Sequence, residues 1–223
     1  RLLSRGLGDV YKRQYIEFFF RYFHVLAGIV WIGMLYYFNF VQTEYFKEAE
    51  ASAKSDAMAK LAPRALWWFR WGAMLTFLTG AYLFHKIGAL GMAMPAIWVG
   101  ALAGTFMFLN VWLVIWPNQQ IVLGMKEGDG PAAAAKAGLA SRTNTLFSGP
   151  MLLGMLGSKH LAAISTQVGG SVSDTGLFTA MGIIIALEIN ALFGGMGPMK
   201  SVMGVIHCSL ALMLAILGIL LFI

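Results

Sequence analysis

Apolar and polar residues occur in long blocks along this chain. The first apolar block covers residues 22–41, and none of its twenty residues carries a formal charge. A helix of this length rises about 30 Å, the thickness of the hydrocarbon core of a bilayer. Five more apolar blocks follow, at 66–86, 96–116, 145–164, 177–196 and 202–223. This pattern predicts an all-α fold, a polytopic membrane bundle of about six transmembrane helices.

The segments between these blocks have their own signals. Residues 44–65 are polar and rich in alanine, which predicts a surface helix that Pro63 interrupts. Trp67, Trp68 and Trp71 form a predicted interfacial aromatic belt at the start of the second span. The PNQQ segment at 117–120 predicts the end of the third span, and Pro150 predicts a kink in the fourth.

Composition agrees with a membrane protein. The chain is 59% hydrophobic and 12% charged, with a mean hydropathy of +0.72, whereas soluble domains are about 45–50% apolar and about 25% charged. The net charge of +6 comes mainly from loops between spans, which does not indicate a nucleic-acid partner. Cys208 is the single cysteine, so an internal disulfide and covalent haem attachment through CxxCH are both excluded within this sequence.

Residues 1–14 differ from the rest of the sequence in composition and periodicity. The segment RLLSRGLGDVYKRQ resembles a translated sequencing-adapter artefact, and a polar native leader is the alternative. We therefore treat 1–14 as a non-native leader and 15–223 as a single transmembrane domain.

Lysine and arginine positions predict the orientation. We call the side where the first span begins side A and the opposite side side B. With the leader set aside, side B carries most of the basic residues, namely Lys47, Lys54, Lys60, Arg64, Arg70, Lys126, Lys136, Arg142 and Lys200. The positive-inside rule then places side B in the cytoplasm and both termini on the outer side of a bacterial inner membrane.

Three histidines are expected near side A. His24 begins the first span, His85 ends the second, and His160 lies near the end of the fourth. Gly28 and Trp31 share a helical face with His24, and this glycine would let a flat group approach the backbone. Such histidines could bind a b-type haem, with His24 and His85 as iron ligands. The alternative is a His24 that hydrogen-bonds to a neighbouring helix, and interfacial His85 and His160 side chains that point at water.

A second polar layer is expected toward side B. Glu188 is the one carboxylate deep inside a span, and His207 enters the membrane at a comparable depth, so we predict that they pair. The pair could relay protons or could simply link two helices. Arg142 and Asn144 precede the fourth span. Together with Glu188 and His207, they are the catalytic candidates. Arg142 could instead be a cytoplasmic anchor.

Several segments resemble one known family. FHVLAGIVWIG, SRTNTLFSGPMLL, and ALEINALFGG followed by VIH are similar to the membrane domain of bacterial cytochrome-c-linked urate oxidase, in its short stand-alone form. The HxxxGxxWxG pattern is shared more loosely with copper-resistance D proteins and membrane protoporphyrinogen oxidase. The resemblance implies that His24 is associated with a cofactor and that Arg142, Asn144, His160 and His207 match other polar positions of the family.

The resemblance also implies electron transfer to a separate acceptor, a cytochrome c or a respiratory complex, because this sequence contains no CxxCH. Enzymatic activity, as a urate hydroxylase-like oxidoreductase, is left open at this point, and so is self-association into an oligomer. The rival interpretations are a copper- or solute-handling membrane protein of the copper-resistance D type and a non-catalytic subunit of a larger membrane complex.

Overall fold

The computed structural model describes residues 2–87, 95–167 and 173–223, and these residues form only helices, turns and short connections. Within these ranges nine α-helices follow one another: α1 Leu2–Tyr36, α2 Thr43–Glu48, α3 Ala51–Asp56, α4 Ala62–Lys86, α5 Pro95–Leu109, α6 Trp116–Val122, α7 Gly130–Gln167, α8 Asp174–Phe193 and α9 Val202–Phe222. Three π-helical turns, π1 Tyr37–Gln42, π2 Ala57–Leu61 and π3 Asn110–Ile115, and one 3₁₀ turn, Gly197–Lys200, join some of them. The predicted all-α fold is confirmed for the described residues.

Four helical segments among the described residues are long and apolar enough to cross a membrane. They are Gln14–Glu48, Pro95–Val122, Asp174–Phe193 and Val202–Phe222. They correspond to the first, third, fifth and sixth predicted spans. The second and fourth predicted spans fall in α4 and α7, which are long helices of 25 and 38 residues but are interrupted by more polar residues. The structure thus supports a membrane protein with four such helices.

Two predicted helix ends are wrong. Pro63 does not break the helix: helical residues run without interruption from α3 through the π-helical turn π2 into α4, and Pro63 is the second residue of α4. The break occurs earlier, at Ala49 and Glu50. Pro117 likewise does not end the third span, because α6 continues to Val122. The Asn118 amide donates to the Val114 carbonyl oxygen at 2.7 Å and so satisfies one backbone group beside this proline.

Glycines set how closely the central helices approach one another. A Cβ placed on Gly154 of α7 would lie 2.5 Å from the backbone nitrogen of Gly100 and 2.6 Å from the Ala96 carbonyl oxygen, both on α5. Real Cβ atoms do not approach backbone atoms so closely, so α5 and α7 pack in direct backbone contact. α7 continues without interruption through Pro150, and α9 packs along its opposite side.

The helices α1 and α4 form a closely packed pair. α1 packs along α4 so closely that a Cβ added to Gly72 of α4 would lie 3.2 Å from the backbone nitrogen of Trp31. Phe77 of α4 stacks on Phe108 of α5 with ring centroids 4.2 Å apart. The predicted belt of Trp67, Trp68 and Trp71 is exposed at the start of α4, as expected for side chains at a membrane interface. α7 contacts α1, α5, α6, α8 and α9 and is thus the central helix among the described residues.

Candidate functional site

His24 lies where α1 packs against α4. Its Nδ1 is 2.9 Å from the Thr76 carbonyl oxygen and 3.2 Å from Oγ1 of Thr79. Because a carbonyl oxygen can only accept, we assign the ring proton to Nδ1, which donates to Thr76. This assignment leaves Nε2 as the nitrogen with a free lone pair, the form in which histidine binds a metal.

A glycine makes room for this ring. A Cβ on Gly80 of α4 would lie only 2.9 Å from Cε1 of His24. The imidazole therefore occupies the space that the side chain of any residue larger than glycine would fill at position 80. The close approach predicted at Gly28 is that of a bound flat group, and it stays a prediction; within the protein a Cβ on Gly28 would make an ordinary 3.9 Å contact with Cγ2 of Thr76. Trp31 is 2% exposed and belongs to the hydrophobic core. Gly80 and Thr76 were missed because they lie on a different helix from His24.

The other two side A histidines have different surroundings. His85 and His160 are exposed, in the last turn of α4 and in the second half of α7. In the described ranges, no three His, Cys, Asp or Glu side chains are close enough to hold a metal ion. The structure thus does not gather the three histidines into one group. A haem with one or two histidine ligands stays a prediction.

A buried polar network links α5, α7 and α8. The side-chain amide of Asn110 donates to Oδ1 of Asn144 at 3.0 Å and to Oε2 of Glu188 at 3.1 Å. Asn144 in turn donates to the Met107 carbonyl oxygen at 2.9 Å. All three side chains are at most 7% exposed. The partner of Glu188 is therefore Asn110.

The predicted Glu188–His207 pair is wrong. No ion pair links these two side chains, both of which the structure describes, and His207 is exposed. Similar depth along two neighbouring helices is not sufficient for contact, because the side chains must also point at each other. Here α8 directs Glu188 into the bundle, whereas α9 directs His207 outward.

Side chains of α1 and π1 also make polar contacts with this stretch of α7. Asn39 donates to Oγ of Ser141 at 2.8 Å, and the Tyr36 hydroxyl lies 2.8 Å from Oγ of Ser148. Asn39 belongs to the π-helical turn π1, and Asn110 begins π3. π-helical turns occur frequently at functional sites. Two such turns thus direct buried amides at one polar segment of α7.

Arg142 is the buried cation of this segment. It is 5% exposed, and its Nη1 has no hydrogen-bond partner among the described residues. None of the ion pairs in that part of the chain includes it. Burial lowers the pKa of the Arg142 guanidinium, and the negative charge of Glu44 opposes this change. Since arginine remains protonated in proteins, Arg142 is a desolvated positive charge without a direct counter-ion in the described ranges.

The histidine and polar layers are far apart. Asn39 follows His24 by fifteen positions of continuous helix, which places the two residues about 22 Å apart along the helix axis. A groove of 590 Å³ runs along α7 and α9 on the α1 side, and its lining includes Tyr36, Ser148 and His160. This volume falls within the range of about 300–1,000 Å³ found for small-molecule sites.

Comparison with known families identifies the chain. The sequence model of the family described as urate oxidase N-terminal matches residues 89–217, more than half of the chain. The chain belongs to the urate oxidase N-terminal family. No curated protein and no solved structure matches it in the corresponding searches. The looser similarity to copper-resistance D proteins stays a prediction.

The urate oxidase N-terminal match does not cover all candidate residues equally. It includes the polar network and Arg142, together with His160 and His207. It begins after α4, so His24, Gly28, Trp31 and His85 lie outside the matched range. The part of the site that the family match covers is thus the layer around α7.

Proposed function

We propose that this protein is a six-span oxidoreductase of the bacterial inner membrane. In this proposal α4 and α7 also cross the bilayer, and side A faces outward. A b-type haem binds near the outer face through His24, and electrons pass to a separate acceptor such as a cytochrome c. Family membership and the apolar helices support a membrane location, and the His24 geometry supports the cofactor.

The environment of His24 carries the haem proposal. The Nδ1–H bond to Thr76 fixes the ring orientation and leaves Nε2 free, as is usual for metal-binding histidines. The residues present therefore fit one histidine ligand to the haem iron. A bound haem would supply one-electron transfer. His24 would hold it, and the Thr76 carbonyl would keep the ligand in one tautomer.

The test is spectroscopic and uses the purified wild-type protein. A reduced-minus-oxidised absorption spectrum should contain a b-type α-band, and a pyridine haemochrome assay should yield about one haem per chain. Folded, haem-supplemented protein with a featureless spectrum would contradict the proposal. The hydrogen bond between His24 and Thr76 would then serve only to pack α1 on α4.

Arg142 supports an anionic substrate for the same oxidoreductase. A buried guanidinium with a free donor binds planar anions well because it offers several donors in a fixed geometry. Urate, the substrate in the family description, is the first anion to test. In this proposal the substrate binds toward side B.

Replacing Arg142 with glutamine should weaken urate binding by about 10- to 150-fold, since hydrogen bonds to charged groups contribute about 1.5–3 kcal/mol. Titration calorimetry on the detergent-solubilised protein would measure the dissociation constant. Arg64→Gln removes one positive charge from an exposed residue on the same side and should leave this constant unchanged. Equal weakening of urate binding in both variants would mean that binding depends on the overall charge of the protein and not on Arg142 itself.

A further inference from the structure

Glu188 places an acidic group inside an apolar helix. It is 7% exposed, and α8 continues for five residues beyond it, about 8 Å, before ending at Phe193. The whole helix qualifies as a membrane span. A carboxylate at such a depth loses its hydration, which is costly unless the protein supplies compensating charges or several donors.

Among the residues that the structure describes, the polar network supplies Glu188 with a single neutral donor. Asn144 must turn its amide nitrogen toward the Met107 carbonyl, so its oxygen faces Asn110. Asn110 therefore presents its NH₂ group, and one of the two hydrogens is used by Asn144. Only the other hydrogen reaches Oε2 of Glu188. An ionised carboxylate can accept about four hydrogen bonds, so one amide leaves it poorly solvated.

The helices packed against α8 provide no direct countercharge. α5 and π3 contain no titratable residue, and α9 offers only His207, which is exposed, and Cys208. On α7, Arg142 makes no ion pair with Glu188, and His160 is exposed. Lys136 and Lys159 lie about 12 and 22 Å along α7 from Asn144. Nothing positive thus contacts Glu188 in the described part of these helices.

We infer that Glu188 is an intramembrane proton-binding site. At neutral pH the side chain is a carboxylic acid: Oε2 accepts from Asn110, and Oε1 carries the proton. The neutral acid needs only the donor that the network provides, whereas the anion would need more. Release of this proton requires water or a cation to reach the carboxylate. The site lies toward side B, away from His24, so the inference does not depend on a haem.

A hydrophobic carbodiimide tests this inference on the intact chain in membranes. Dicyclohexylcarbodiimide reacts with protonated carboxyls: the acid adds across a C=N bond, and the O-acylisourea rearranges to a stable N-acylurea. We expect mass spectrometry to locate the adduct on Glu188 at neutral pH, and labelling to fall as the pH is raised. Glu188→Gln should lose this adduct completely. The wild-type protein alone is sufficient for the test if this variant does not fold.

Exposed carboxylates serve as the internal control. Glu17 pairs with Arg21 at the surface and should react with a water-soluble carbodiimide but not with the hydrophobic reagent. Lack of hydrophobic labelling at Glu188, with its peptide detected and Glu17 reactive, would overturn the inference. Protection of Glu188 by sodium ions but not by potassium ions would also overturn it, because the site would then hold a cation in place of a proton.

Discussion

Replacing Gly154 with alanine is expected to lower the free energy of unfolding by about 3 kcal/mol or more, the upper range for overpacking a core. The added methyl group would lie 2.5–2.6 Å from backbone atoms of Gly100 and Ala96. Backbone atoms within a helix cannot move aside as a flexible side chain can. α5 and α7 would therefore have to separate, which would disturb the hydrogen bond from Asn144 of α7 to the Met107 carbonyl oxygen of α5. Unfolding in a denaturing detergent, followed by circular dichroism, would measure the effect.

Gly182 offers the matched control for this substitution. It lies in α8, and a Cβ there would have no neighbour within 4 Å. Gly182→Ala should leave stability unchanged or raise it by up to about 1 kcal/mol, the helix-propensity difference between the two residues. Equal destabilisation by both substitutions would show that the close approach of α5 and α7 is not what makes Gly154 sensitive.

Replacing His24 with alanine is expected to reduce the haem content of the purified protein to background, because the proposed iron ligand is lost. The pyridine haemochrome assay measures this loss. His207→Ala removes an exposed histidine at the start of α9 and should retain the wild-type haem content. His85→Ala and His160→Ala would show whether either residue supplies a second ligand. Full haem retention in His24→Ala would exclude His24 as the ligand.

His24 also links two helices, so the two roles must be separated. His24→Asn keeps a side-chain donor of similar reach for the Thr76 carbonyl but lacks the imidazole. If His24 binds haem, this variant should regain part of the stability lost in His24→Ala and still lack haem. Added imidazole should restore the haem signal in His24→Gly. If the role is only structural, imidazole should have no spectral effect.

The sequence alone predicted the helical class and the location of the apolar segments. The hydropathy of a segment depends only on the residues of that segment. It can therefore be read from the sequence without knowing which helices pack together. Residues 22–41 fall within one helix that qualifies as a membrane span, and Val202–Phe222 is another. The SRTNT and EIN segments also led to the correct family, and both lie inside the matched range. The helix ends predicted at Pro63 and Pro117 were wrong because the helices continue through both prolines, each of which lies two residues after a π-helical turn.

The tertiary structure decided which polar groups meet. Glu188 binds Asn110 and not His207, His24 fits against Gly80, and Arg142 has no counter-ion among the described residues. Each outcome depends on which helices are neighbours and on how each is rotated about its axis. A span pattern specifies depth in the membrane, but a rotation of about 100° per residue separates an inward side chain from an outward one. The sequence therefore determined the helices and their family, whereas packing around α7 determined the contacts of the candidate site.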